Sequence, residues 1–165
     1  MHLRSPVSMK YFHELEVGEL CQAQLGTALA LCFPIVIDDA RRLIAILKIG
    51  DEVKPMVHEV RHFRRPCLSY GHDWVLSPEI GVDAIAASGH SETPGSIHFH
   101  PDGATMYLAP FSREAVGEGY QLALPGFGFG SIPHESIPVL KWKLWISEQE
   151  RIRTGAVPLL EFSHE

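Results

Sequence analysis

Apolar and polar positions along this chain follow two different periods. Over residues 38–50, DDARRLIAILKIG, two aspartates precede a run of good helix formers, Lys48 falls in the last turn and Gly50 just beyond it. That pattern predicts a helix. The segment 14–31 predicts a second, interrupted by Gly18 and Gly26, and FPIVI at 33–37 a short buried strand. After residue 94 Pro and Gly become dense and the period shortens to two. SIHFHPDGATMYLA reads as a hairpin with Pro-Asp-Gly in its turn. YQLAL at 120–124 and VLKWKLWI at 139–146 read as strands. In the latter, Leu140, Trp142, Leu144 and Ile146 share one face, and Val139, Lys141, Lys143 and Trp145 the other. Together these elements predict an α+β fold, with helices mainly in the N-terminal third and mostly antiparallel sheet and turns after about residue 70.

With 165 residues and 45% hydrophobic content, the chain is long enough for one sizeable core. The expectation is a single globular domain over 1–165, with a possible subdivision into a helix-rich 1–66 and a strand-rich 67–165. The net charge of -6 argues against nucleic acid, which needs a basic face. The cluster Arg61, His62, Arg64 and Arg65 reads as a solvated edge. The longest apolar run, 25–37, is broken by Pro34 and is too short to span a bilayer, and the mixed N-terminus does not read as a signal peptide. Cys21, Cys32 and Cys67 are odd in number and lack C-x-x-C spacing, so neither a disulfide framework nor a zinc knuckle is indicated. These features lead us to expect a soluble cytoplasmic protein, with a protein or peptide as partner and no membrane or nucleic acid.

Two histidine motifs carry candidate chemistry. KPMVHEVRHFRRP at 54–66 places His58, Glu59 and His62 in H-E-x-x-H order. On a helix the two imidazoles lie one turn apart and reach one Zn²⁺, with the glutamate beside them to activate water; His72 is the nearby third histidine. A helix here turns Val53, Met56, Val57, Val60 and Phe63 to one face and the histidines roughly opposite. A second reading of the same residues is a pair of strands around a Gly-Asp turn at 50–51. That would separate His58 and His62 by about 13 Å, too far to share a metal.

The other motif, PGSIHFHPDG at 94–103, places His98 and His100 on the same face of a strand, about 6.5 to 7 Å apart at Cα, while Ile97 and Phe99 point to the core. This stretch resembles the H-x-H-P segment of the JAMM (MPN or JAB) metallopeptidases. The stretch APFSREAVGEGYQLAL is similar to the region where those proteins carry Ser and Asp before the next strand. The resemblance covers residues 94–161. It implies a zinc-dependent peptidase or isopeptidase with His98 and His100 as ligands and Ser112 supporting the oxyanion. The family's aspartate has no match, since position 115 is Ala; Glu114 would ligate in its place, and Glu59 is a candidate for the base.

Elsewhere, LPGFGFGSIP at 124–133 lacks the Lys-Ser/Thr of a P-loop, and its Phe127 and Phe129 suggest a groove wall or partner contact. Three functions remain open. They are a zinc-dependent hydrolase at His98 and His100, a non-catalytic α+β module binding a partner near Phe127 and Phe129, and a zincin-like peptidase at His58, Glu59 and His62.

Overall fold

The computed structural model describes residues 7–38, 41–61, 64–86, 93–111, 119–131 and 135–164. It is mostly β, with 57% of residues in strands and 6% helical, which overturns the α+β expectation. The described residues form thirteen strands and one short α-helix, and that helix lies near the C-terminus instead of in the first third.

The N-terminal strands are β1 (Ser8–Tyr11), β2 (Leu20–Leu25), β3 (Ala28–Ile37), β4 (Arg42–Ile49), β5 (Glu52–Val60) and β6 (Pro66–Gly71). Both expected helices are replaced here. The segment 14–31 contains a 3-10 turn at 12–14, then β2 and the start of β3; the run 42–49 is β4. The reason lies in burial on two sides. Leu43, Ala45 and Leu47 enter one apolar cluster while Ile44 and Ile46 enter another, so β4 is apolar at successive positions and its sequence lacks strand alternation. Gly50, at φ +57, opens the two-residue loop to β5, a position where a side chain would be strained.

Strands β2 to β5 form an antiparallel meander, β6 returns to lie beside β2, and β1 pairs outside β6. One cluster joins Cys21 and Ala23 of β2, Ala30 and Cys32 of β3, Ile44 and Ile46 of β4, Met56 and Val60 of β5, and Cys67 of β6. Strands β5 and β6 stand at opposite ends of this run, so sharing a cluster requires the sheet to curl around it. Phe12 and Leu15 plug the curl. Arg42 ties them in place: its Nη1 donates to the carbonyls of Phe12 (3.1 Å) and Leu15 (3.2 Å), and its Nη2 to that of His13.

The remaining strands are β7 (Val75–Pro78), β8 (Ile97–His100), β9 (Gly103–Pro110), β10 (Tyr120–Leu124), β11 (Ile137–Val139), β12 (Lys141–Trp145) and β13 (Leu160–Ser163); α1 is Glu148–Ile152. The expected hairpin is present as β8 and β9, joined at Pro101 and Asp102. Strand β9 also pairs in parallel with β5, extending the first sheet to ten strands, while β13, β12 and β7 form a second sheet in that order. The larger core lies between the layers. It joins Leu20, Phe33 and Leu47 of the curled sheet to Ile97, Met106 and Leu122 and to Trp142, Leu144, Leu160 and Phe162. As its alternation predicts, β12 buries Trp142 and Leu144 completely. The Trp142 indole donates to the Gly95 carbonyl at 2.8 Å and stacks on Phe162. Among the described residues, no helix is long and apolar enough to cross a membrane.

Candidate functional site

Strand register divides the β8–β9–β10 unit into two faces. Ile97, Met106 and Leu122 form one cross-strand row toward the core, and Phe99, Ala104 and Leu124 form another beside it. His98, Thr105 and Ala123 occupy the opposite face, with His100 two residues further along. The expected projection of both histidines to one side is therefore present. Their surroundings differ. His98 is buried, and its two ring nitrogens lie 3.1 Å from Ser96 Oγ and 3.2 Å from Ser136 Oγ. Burial lowers its pKa, so at neutral pH it is an uncharged ring held between two hydroxyls. Among the described residues, His100 has no partner on either buried ring nitrogen, and Thr105 Oγ1 and Gln121 Oε1 on the same unit are also buried and unpartnered. Ser112 and Glu114, which the JAMM resemblance implied, lie outside the described residues.

His58 and Glu59 do not lie on a helix. They lie on β5, in the strand pair around the Gly-Asp turn, and alternation sends them to opposite faces. The ring of His58 packs against Phe111 at 4.4 Å; its Nδ1 is buried without a partner, and burial lowers its pKa. Glu59 Oε1 accepts from Arg61 Nε at 2.8 Å. His62 lies outside the described residues, and His72 is exposed on a different part of the surface, 3.5 Å from Glu16. Among the described residues, no group of three or more His, Cys, Asp or Glu side chains is arranged to hold a metal ion.

One concavity among the described residues is apolar. A groove of about 490 Å³ opens at the end of the inter-layer core, between the inner face of β7 and that of β8–β9–β10. Its walls include Trp74, Leu76, Phe99, Leu124, Pro125 and Phe127, with His72 at the rim. Trp74 is fixed by its indole donating to the Gly18 carbonyl at 2.8 Å and by ring contacts with Phe33 and Phe127. Phe127, at φ +60, also lines this groove. Phe129 is 76% exposed and meets Tyr120 edge-on, outside the groove. Sequence reasoning missed Trp74, Leu76 and Phe99. The tryptophan in SYGHDWVL was the available signal, because a large amphipathic aromatic directly after the polar pair His72 and Asp73 often marks a binding surface. A second hollow of about 600 Å³, at the β2–β3 and β4–β5 loops, is lined by Gln22, Thr27, Lys48, Asp51 and Tyr70 and is more polar. Compared with protein-family models, with curated proteins and with solved structures, the chain finds no match.

Proposed function

We propose that this chain is a β-rich binding module that takes an extended peptide segment of a partner, with apolar side chains seated in the groove beside β7. The observation that carries this reading is the groove itself: core-type side chains that no other described residue covers, where the two layers part. Its volume falls within the range of preformed ligand sites, and it has few polar groups. A peptide fits better than a compact ligand because β7 is the edge of its sheet and, among the described residues, pairs only with β12. An added strand satisfies the free edge, and its alternate side chains reach the groove from there. The test is selection of peptides from a random displayed library on the immobilised protein, followed by titration of the ¹⁵N-labelled protein. The expected peptides carry apolar residues at alternate positions, shift the Trp74 indole signal, and lose at least ten-fold in affinity with Leu76→Asp. Unchanged affinity in a folded Leu76→Asp protein would end this reading.

A second reading, the zinc-dependent hydrolase, is favoured by the bare ring nitrogens of His100 two residues from His98. His98 and His100 would hold the ion, which supplies an activated water for attack on a carbonyl. Near-stoichiometric zinc in purified protein, lost in His100→Ala, supports it; no uptake after incubation with zinc ends it.

A further inference from the structure

Three cysteines, from β2, β3 and β6, meet inside the curled sheet. Cys21 and Cys32 are fully buried and Cys67 nearly so. Cys21 Sγ lies 3.7 Å from Cys32 Sγ, and Cys67 Sγ donates to the Lys10 carbonyl at 3.5 Å. Strand register distinguishes the pairs. Cys21 stands directly opposite Cys32 on adjacent antiparallel strands. Directly opposed Cα atoms are about 4.5–5.5 Å apart, within the roughly 4.4–6.8 Å that a disulfide spans. Cys67 stands opposite Ala23, diagonal to Cys21. Diagonal Cα atoms are about 7–8 Å apart, beyond that span. The relaxed bond in this cluster is therefore Cys21–Cys32.

We propose that Cys21 and Cys32 form a cross-strand disulfide under oxidation by a low-molecular-weight disulfide, with Cys67 left as the thiol. In the first step the Cys21 sulfur attacks the small disulfide, forming a mixed disulfide and releasing one small thiol. Cys32 then attacks the Cys21 sulfur, releasing the second small thiol and leaving the Cys21–Cys32 bond. Two electrons and two protons pass from the protein to the small disulfide, which ends as two thiols. Both side chains are fully buried, so the first step waits on local opening of the sheet. The hydrogen bond with Cys32, together with burial, holds the Cys21 thiol above its ordinary range. Thiolate is thus scarce at neutral pH, so exchange is slow and accelerates as pH rises.

The experiment incubates reduced protein anaerobically with excess oxidised glutathione, quenches in acid, alkylates the remaining thiols under denaturing conditions and maps tryptic peptides by mass. Cys21 and Cys32 share the tryptic peptide 11–41. At the end point that peptide is expected to be two hydrogens lighter and unalkylated, with Cys67 alkylated. Cys67→Ala is expected to reach the same end point. Cys67 locked in the final disulfide, or all three thiols still free at equilibrium, overturns the pairing in the wild-type protein, whether or not Cys67→Ala folds.

Discussion

At Gly18 the backbone takes φ +79, and a Cβ there would lie 2.4 Å from the ring of Phe127. That ring is also held by Phe33 and Trp74, which restrict its movement away from Gly18. Gly18→Ala therefore meets both a left-handed backbone and an overpacked aromatic cluster. It is expected to lower unfolding free energy by about 2–4 kcal/mol in urea titration. The same substitution is expected to weaken peptide binding, because Phe127 is a wall of the groove. A loss below about 0.5 kcal/mol would mean that the cluster relaxes freely, against the packing just described.

Among the elements, the 3-10 turn at 12–14 depends on β4 more than on its own hydrogen bonds. Its three carbonyl contacts come from Arg42, whose partial burial lowers its pKa yet leaves it charged. Arg42→Met keeps much of the apolar stem and removes the donors. We expect a cost of about 2–3 kcal/mol, together with faster hydrogen exchange at the amides of 12–15. Equal exchange in the two proteins would show that Phe12 and Leu15 hold the plug by packing alone. Strand β12 has the corresponding role in the second layer. Trp142 fills the inter-layer core, and Trp142→Ala is expected to cost about 3–5 kcal/mol by denaturant titration.

For the molecule as a whole, acid stability has two windows with different causes. Burial lowers the pKa of both His58 and His98. The unfolded chain then binds more protons between an ordinary histidine pKa of about 6.5 and the lower folded values. Stability from these groups is complete above about pH 6.5 and is lost as pH falls through that interval. Glu19 acts at lower pH. Burial alone would raise its pKa, but hydrogen bonds from Lys10 Nζ, Ser69 Oγ and the Glu16 amide outweigh burial and lower it from 4.5. Its contribution is present above that value and is lost as pH falls through the folded pKa. The expected Tm is level from pH 8 to about 7, declines toward pH 5, and falls again below about 4.5. His98→Gln, which cannot titrate, is expected to flatten the first decline and leave the second unchanged. An identical profile would remove His98 from this account.

What the sequence by itself determined is local. The β8–β9 hairpin, the two faces of β12, the strand at 33–37 and the shared face of His98 and His100 all follow from period-two alternation and turn residues, which act over a few positions. Phe127 stands out in the sequence as a large ring between glycines, whereas its packing on Phe33 and Trp74 is set by residues distant in sequence. The tertiary structure decided the rest. Whether 42–49 is helix or strand depends on having apolar partners on both faces, and those partners come from 20–35, 56–60 and 97–162. The same long-range packing left Glu59 across the strand from His58, gave His98 two serine neighbours, and left the ring nitrogens of His100 bare. It also brought together three cysteines whose spacing carries no motif, because the curl of a sheet joins residues by strand order, which sequence distance does not encode.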